Sequence, residues 1–525
     1  MIRILGAVLA AALLGMTACS GGSPATAAPM APTAPAAPAA RSAATALPAR
    51  AAAPAPPDTL AGYYAQRLDW QPCDHGFQCA RLLVPFSYSQ PGGDRFSLPV
   101  IKLPAADPAE RIGALVINPG GPGGSGVQYA LSARSEFTPR VLDRFDIVGF
   151  DPRGVGGSKP ALRCMSAPDL DKYFETDDTP SDPAQLAALI TESKFYAAEC
   201  ARNASGLLPY IGTPNAARDL DVLRAALGEP KLTYLGKSYG TFLGTWYAQL
   251  FPGRVRALVL DGAVDPDSSG LDMDINQAEG FEVAFRSFAA SCVAKPNCPL
   301  GSGAGVSAAV AKLQGLISRA NKAPLTNSLA DGQQADGSML LTGVASALYS
   351  KSLWPTLQAA LTAAFSGDGT LLVELANFLM ERNPNGTYSN LADVDTAVSC
   401  IDRPWPRSLT AWQAAAAAAG RAAPLFGASI LWGSLPCAYW PVPAVPAPQI
   451  RAAGAPPVLV VGNLRDPATP FQWAQALARD LASGVLLGWN GDGHTAYMEG
   501  SSCVDNAVDG YLISLTVPRN GTICP

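Results

Sequence analysis

One serine stands between two glycines in the segment GKSYG (236–240), at the spacing found around the nucleophile of many hydrolases. Its neighbours support that role, because KLTYLG (231–236) has the pattern of a buried strand and TFLGTWYAQLF (241–251) that of a helix. A tight turn between strand and helix needs flanking glycines and exposes the hydroxyl near the positive helix end. We therefore predict that Ser238 is a nucleophile; the alternative is a serine that only caps the helix.

A serine hydroxyl needs a neighbouring base, and histidine is the usual one because its pKa lies near neutrality. The chain has two histidines. His75 lies in CDHGFQC (73–79), far before the serine, whereas His494 lies in a glycine-rich loop directly after the strand pattern GVLLGW (484–489). A histidine after the last strand is the order of the α/β-hydrolases. His494 is the predicted base, against the alternative of an ordinary loop histidine.

The acid that orients the imidazole should also follow a strand. Asp466 does so, just after PVLVVG (457–462), and it precedes His494 in the chain. Asp261, which follows the strand after the serine, is the alternative acid. Asp492 lies too close to His494 along the chain to be a natural partner. We therefore predict Asp466 as the acid.

The loop NPGGPGGSG (118–126) overlaps the end of another predicted strand, GALVIN (113–118), and its glycines let a substrate approach the backbone closely. An oxyanion hole needs two backbone N–H donors aimed at the developing charge. We predict Tyr239, the residue after the serine, as one donor and Gly121 as the other, with Gly120 next. The loop lacks the endings and spacing of nucleotide-binding loops. Two distant histidines give no zinc pattern, so the sequence predicts no cofactor and no metal.

The elements that must position these residues follow from hydrophobic patterning. After about residue 59, short apolar runs rich in β-branched residues alternate with helical patterns, which predicts a mostly parallel sheet covered by helices. The Ala-rich stretch 264–445 is helical in pattern and interrupts the strand-bearing segments. We predict an α/β-hydrolase fold with core segments 59–263 and 446–525 and an inserted helical cap, 264–445.

The N-terminus carries one arginine before an apolar run of residues 4–16, which is typical of a secretory signal and short for a membrane-spanning helix. It ends in MTAC (16–19), which resembles a bacterial lipobox and predicts lipidation of Cys19. Residues 20–58 are mostly Ala, Pro, Ser, Gly and Thr, a composition that does not fold. We expect an exported bacterial protein with a signal at 1–19 and a lipid as its only membrane contact; plain secretion is the alternative.

The cysteine count indicates the compartment in which the protein folds, and the charge limits the partners that it can bind. Without Cys19, ten cysteines remain, an even number that suggests five disulfides in an exported protein. Pairing neighbours along the sequence is the simplest arrangement. The net charge is −5, 15% of residues are charged and the sequence has no basic run, which argues against a nucleic-acid partner.

Five segments resemble the secreted bacterial tripeptidyl aminopeptidase family, α/β-hydrolases close to the proline iminopeptidases: NPGGPGGSG, FDIVGFDPRGVGGSKP, LTYLGKSYGTFLGTWYAQLFPGRVRALVLDG, VLVVGNLRDPATP and GDGHTAYMEGSSCV. The resemblance runs from about residue 60 to the C-terminus. It implies a serine exopeptidase that acts on peptides with free N-termini and releases short peptides, with tripeptides as the expected product. By position, Ser238, Asp466 and His494 would be its nucleophile, acid and base.

An aminopeptidase also needs acidic groups that hold the α-amino group of its substrate. The candidates in or beside the predicted cap are Asp402, Glu279 and Glu282, and for each a structural role is the alternative. Other functions stay open: an esterase or lipase with the same three residues, or a non-catalytic surface binding protein that keeps the fold. A metallohydrolase is poorly supported, and the sequence predicts no oligomeric state.

Overall fold

One mixed sheet runs through the part of the chain that the computed structural model describes, residues 57–329, 332–445 and 449–525. In chain order its strands are β1 (Gln71–Pro72), β2 (Gln78–Pro85), β3 (Arg95–Leu103), β4 (Gly113–Asn118), β5 (Phe145–Phe150), β6 (Leu232–Lys237), β7 (Val255–Asp261), β8 (Val458–Arg465), β9 (Gly484–Asp492) and β10 (Thr522–Cys524). Their order in space is β1-β2-β3-β5-β4-β6-β7-β8-β9-β10. Neighbours from β5 to β10 are parallel, and the three pairs at the other end are antiparallel. The predicted mostly parallel α/β fold is confirmed.

Helices cover the sheet, and their bounds are α1 (Leu60–Tyr64), α2 (Gly126–Leu131), α3 (Ala133–Glu136), α4 (Pro139–Arg144), α5 (Ala167–Phe174), α6 (Pro183–Ala204), α7 (Thr213–Ala226), α8 (Tyr239–Leu250), α9 (Gly270–Val293), α10 (Val306–Lys322), α11 (Gly337–Leu348), α12 (Trp354–Phe365), α13 (Thr370–Leu379), α14 (Leu391–Asp402), α15 (Leu409–Ala422), α16 (Gly427–Gly433), α17 (Phe471–Asp480) and α18 (Ser502–Ser514). Every residue of β4, β5 and β6 is buried, which explains their mostly apolar sequences. Over the described ranges, no helix combines the length and the hydropathy needed to cross a membrane.

A helical insertion separates β7 from β8. Its described residues form α9 to α16 and add no strand to the sheet. Three tryptophans stack at its centre, with Trp412 between Trp405 at 5.6 Å and Trp432 at 6.5 Å. Leu189 of α6 belongs to the same buried cluster as Trp412, although α6 lies before β6 in the chain. A cap confined to 264–445 therefore leaves out α6, whose apolar face packs with the insertion.

Five disulfides join cysteines that are neighbours in the sequence, as the simplest pairing predicts: Cys73–Cys79, Cys164–Cys200, Cys292–Cys298, Cys400–Cys437 and Cys503–Cys524. Such a set is typical of proteins that fold in an oxidising compartment, which suggests export. Cys19, the predicted lipidation site, and most of the predicted tether lie outside the described residues. Residues Asp58–Pro525 form one compact unit.

Candidate active site

The predicted serine, acid and histidine follow the carboxyl ends of three strands of the sheet. Ser238 comes directly after β6, Asp466 directly after β8, and His494 two residues after β9. These strands are parallel and close in the sheet, with only β7 between β6 and β8. Because carboxyl ends of parallel strands meet at one edge, the three residues lie at the same edge of the sheet, where α/β proteins bind ligands.

Ser238 occupies a strained turn between β6 and α8. Its φ of 56° and ψ of −129° place a non-glycine residue in a region that side chains rarely adopt. The turn is tightly packed on both sides of the serine: a Cβ on Gly236 would lie 2.3 Å from the carbonyl of Gly240, and one on Gly240 would lie 2.7 Å from Asn118 Oδ1. The backbone N–H of Ser238 donates to the Asp261 carbonyl at 2.9 Å. The turn thus has the shape expected of a nucleophile elbow.

The imidazole of His494 is held by Asp466. Its Nδ1 lies 2.9 Å and 3.1 Å from the two carboxylate oxygens, and both residues are buried. The same carboxylate accepts the backbone N–H groups of Ala468 at 2.9 Å, Thr469 at 2.8 Å and Thr495 at 3.0 Å. With its lone pairs occupied in this way, Asp466 fixes the ring orientation and keeps the proton on Nδ1.

The other ring nitrogen of His494, Nε2, is available to accept a proton. Nε2 is buried and has no hydrogen-bond partner among the described residues. The ring packs against the turn that follows β7, since a Cβ on Gly262 would lie 3.3 Å from His494 Cε1. The preceding residue, Asp261, accepts the N–H of Ser238. Serine and imidazole therefore contact the same two-residue turn, and Nε2 is the ring atom available to take a proton.

Asp261, the alternative acid, makes no hydrogen bond to the imidazole among the described residues but holds the loop that carries it. Its buried carboxylate accepts the backbone N–H groups of Ala496 at 3.0 Å and Tyr497 at 2.9 Å. Burial raises the pKa of Asp261 to about 6, against the opposing effect of the Lys237 ammonium. Hydrogen-bond partners therefore distinguish the two candidate acids: Asp466 bonds the imidazole, and Asp261 bonds the backbone of the loop.

The glycine loop after β4 approaches the serine closely. A Cβ on Gly120 would lie 2.8 Å from Ser238 Cβ and 3.0 Å from the backbone nitrogen of Tyr239. The N–H of Gly120 already donates to Asn118 Oδ1 at 3.0 Å, which removes it as an oxyanion donor. Gly121 lines the same cavity as Ser238 and Tyr239. Gly121 and Tyr239 are therefore the better-placed pair of donors.

Ser238 opens onto a cavity of about 150 Å³ between the sheet edge and the helical insertion. Three carboxyl groups line it among the described residues: Asp274 of α9, and Asp395 and Asp402 of α14. One guanidinium, that of Arg403, also lines it, but its donors bond to backbone carbonyls, with Ser268 at 2.7 Å. Apolar rings complete the walls, namely Phe242, Trp405 and Trp473.

The three carboxyl groups differ in their partners. Asp402 accepts the backbone N–H of Thr213 at 2.8 Å and also its hydroxyl, which in turn bonds the phenol of Tyr239. Asp274 is 4% exposed, and its Oδ2 has no hydrogen-bond partner among the described residues. Burial raises the pKa of Asp402 to about 6, that of Asp395 to about 7, and that of Asp274 well above its ordinary value.

Glu279 and Glu282 do not line this cavity. Glu279 lies on a separate groove beside Leu464. Glu282 is buried, pairs with Arg286 at 2.8 Å and accepts the N–H of Leu425 at 3.0 Å. Of the three predicted amine-binding residues, the structure brings only Asp402 to the serine.

Asp274 and Asp395 are cavity residues that the sequence reasoning missed. A signal for Asp395 exists, because it stands seven residues before Asp402 on the same helix, and residues two turns apart share a face. Asp274 has no such signal, since it reaches the cavity from a different helix.

Comparison with known proteins agrees with this architecture. The family described as "TAP-like protein" matches residues 423–524. Serine protease Hip1 of Mycobacterium tuberculosis is 38% identical over 481 residues, covering 87% of this chain and 91% of the relative. Carboxylesterase B of the same species is 38% identical over 457 residues, covering 85% and 86%. Tripeptidyl aminopeptidase of Streptomyces lividans is 33% identical over 473 residues, covering 87% of each chain.

The alignments with these relatives cover most of the chain, well beyond the C-terminal segment that the family match covers. The resemblance deduced from the five sequence segments is therefore confirmed. The chain is a serine hydrolase of the α/β-hydrolase fold and belongs to the tripeptidyl aminopeptidase-like family.

Proposed function

We propose that this protein is an exported serine exopeptidase that releases short peptides, with tripeptides as the expected product, from the free N-termini of peptide substrates. The observation that carries this is the acidic cavity: among the described residues, three carboxyl groups and one guanidinium line the space onto which the candidate nucleophile opens. A peptide N-terminus brings a positive charge into that space, which ionised carboxylates stabilise. The acyl chain of a simple ester brings none.

The reaction would proceed through an acyl-enzyme. Nε2 of His494 takes the hydroxyl proton of Ser238 as Oγ attacks the peptide carbonyl, and Asp466 stabilises the imidazolium through Nδ1–H. The N–H groups of Tyr239 and Gly121 stabilise the oxyanion. The imidazolium then protonates the leaving amine as the C–N bond breaks. Water, deprotonated by the same ring, hydrolyses the ester and restores Ser238.

Asp395 and Asp274 are the groups best placed to receive the substrate ammonium. Asp402 lines the cavity too, but Thr213 already occupies its oxygens. Asp274 offers a buried oxygen without a partner in the described ranges, and Asp395 keeps accessible surface at the cavity that it lines. Binding the ammonium would favour their ionised forms and offset the cost of burying the charge.

Removing the nucleophile tests the proposal directly. Ser238→Ala should abolish hydrolysis of a tripeptide anilide with a free N-terminus while leaving the melting temperature unchanged, because its hydroxyl makes no hydrogen bond within the described residues. A fluorophosphonate should label the wild type at Ser238 and not the variant. Turnover by the variant above the level of a mock purification would contradict the assignment.

A carboxylesterase is the second candidate, because one relative of equal identity is named as such. Three substrates separate the two functions: a free tripeptide anilide, its N-acetylated form and a short acyl ester. A peptidase of the proposed kind should lose about 100-fold or more in kcat/KM on acetylation, since an unpaired buried carboxylate is left behind. An esterase should be indifferent to the free amine and prefer the acyl ester.

The lipobox-like segment supports membrane attachment through a lipid on Cys19. Mass spectrometry of the mature N-terminus tests this, with a diacylglyceryl group on Cys19 as the expected modification. An unmodified N-terminus that begins after Cys19 would show instead that the protein is secreted without a lipid anchor.

A further inference from the structure

The helical insertion contacts the loop of His494 through a short segment between α11 and α12. Residues 349–351, which we call the strap, run antiparallel to residues 492–494 at the end of β9. Each residue of the strap meets one residue of the loop: Tyr349 O accepts His494 N–H at 2.8 Å, Ser350 bridges Gly493, and Lys351 Nζ lies 2.8 Å from Asp492 Oδ2.

The strap and the loop are in close contact at the imidazole. Gly493 has a φ of 109°, and a Cβ there would lie 3.0 Å from the Tyr349 carbonyl oxygen. The Tyr349 ring meets the His494 ring edge-on, with centroids 5.2 Å apart and planes at 84°. The strap therefore constrains both the backbone and the ring plane of His494.

Asp492 anchors the strap to the sheet. Its buried carboxylate accepts Ser287 Oγ at 2.6 Å, Arg465 Nε at 2.6 Å and the ammonium of Lys351. Burial opposes its ionisation, yet the hydrogen bonds from Arg465, Lys351 and Ser287 hold the pKa of Asp492 at about 2. The anchor is thus ionic at neutral pH. Arg465 directly precedes Asp466, so the anchor joins the loops of the acid and the base to the insertion.

We propose that the strap positions His494, so that the helical insertion holds the base in place in addition to covering the cavity. The inference rests on the proposed role of His494. Tyr349, Ser350 and Lys351 do not belong to the described residues that line the cavity. Loosening the strap should therefore misalign the imidazole with Ser238 and lower kcat, while substrate binding in the cavity stays intact.

A matched pair of lysine variants tests this. Lys351 is 62% exposed and 2.8 Å from its carboxylate, and Lys172 is 66% exposed and 2.6 Å from Glu192. Lys351→Met should lower kcat about tenfold with KM within twofold, because small misplacements of reacting groups are costly. Lys172→Met should change neither constant, and Lys351→Arg should keep most of the activity. A second comparison uses Asp492→Asn, in which Lys351→Met should have little additional effect.

Nuclear magnetic resonance separates positioning from general loss of structure. The chain has two histidines, so His75→Gln leaves a single set of imidazole signals. The Nδ1 proton of His494 should resonate far downfield, and it should shift and broaden in Lys351→Met but not in Lys172→Met. This signal is read without substrate, so it tests the strap even if the proposed peptidase activity fails.

Three results would overturn the inference: unchanged kcat in Lys351→Met, equal losses in the two lysine variants, or a loss found in KM alone. An unshifted Nδ1 proton in Lys351→Met would also overturn it. Absence of both turnover and fluorophosphonate labelling in the wild type would instead count against the proposed function.

Discussion

At the scale of residues, two buried aspartates beside one histidine loop do different work because their hydrogen-bond partners differ. Asp466 contacts the imidazole Nδ1 at 2.9 Å, whereas Asp261 accepts backbone N–H groups of the loop behind the ring. The chain order leaves either one possible as the acid. Only the contacts distinguish an acid that orients the ring from one that holds its loop.

Asparagine substitutions should separate these roles. Asp466→Asn should lower kcat by about 10³- to 10⁴-fold, because the amide favours the wrong imidazole tautomer. Asp261→Asn keeps one acceptor oxygen for the loop and should lower kcat by about tenfold or less. Steady-state kinetics measure both, with melting temperatures as the control for folding. Equal losses in the two variants would contradict the assignment of Asp466.

At the scale of elements, the site depends on close contact between the glycine loop after β4 and the turn before α8. Gly120 has a φ of 98°, and a Cβ there would meet the carbonyl of Lys237 at 2.7 Å and Ser238 Cβ at 2.8 Å. Both of these atoms, and the backbone nitrogen of Tyr239 at 3.0 Å, belong to the backbone or to its first side-chain carbon and cannot swing aside. Replacement of this glycine must therefore move the loop and, with it, the proposed oxyanion donor Gly121.

Gly120→Ala should lower kcat by about 100-fold, the usual effect of losing one oxyanion donor. Gly253→Ala is the matched control, because that glycine lies just beyond the other end of α8, has no positive φ and has open space around it. Activity should be unchanged in the control. A loss of activity below about twofold in Gly120→Ala, measured on folded protein, would contradict the proposed geometry.

At the scale of the whole molecule, the cavity is assembled from distant parts of the chain. α9 supplies Asp274 and α14 supplies Asp395 and Asp402, while the sheet edge supplies Ser238. The pKa values of Asp402 and Asp395, about 6 and about 7, lie above the ordinary value because the protein around the cavity desolvates both carboxyl groups. Substrate affinity should therefore depend on pH.

The inactive Ser238→Ala variant should bind a tripeptide amide more tightly as pH rises from 5 to 7.5, by about tenfold. Below pH 6 the carboxyl groups of Asp402 and Asp395 are largely neutral. Above pH 7 they are largely ionised, while the peptide amine is still charged. Isothermal titration calorimetry measures the effect, which Asp395→Asn should flatten. Affinity that is independent of pH would contradict an ammonium site in this cavity.

The folding stability of the free protein should have the opposite pH dependence from the ligand affinity: it should fall as pH rises. A carboxyl group whose folded pKa is raised favours folding when protonated, so this stability is present below about pH 4 and lost as pH rises through 6 to 7. The bound tripeptide amide should offset that loss, which thermal denaturation at pH 5 and pH 7.5 with and without the ligand would reveal.

The sequence by itself determined the features that arise from residues close together in the chain and from the order of the strands. Buried strands have mostly apolar runs, and Gly236 is required by a contact made within the turn itself, with the carbonyl of Gly240. Parallel strands bring their carboxyl ends to one edge, so chain order alone placed Ser238, Asp466 and His494 together. The same reasoning left Asp261 as an alternative, because a carboxylate's partner is not written in its position along the chain.

Tertiary packing decided the rest. Asp274 and Glu279 are five residues apart on α9, which places them about 140° apart around the helix axis. Which of them faces the serine depends on how the insertion packs on the sheet, and the structure turns Asp274 inward. The contact between the strap and the loop of His494 joins segments more than 100 residues apart in sequence. Side-chain spacing is a local property, but the choice of buried face follows from the packing of distant elements, so only the tertiary structure could supply it.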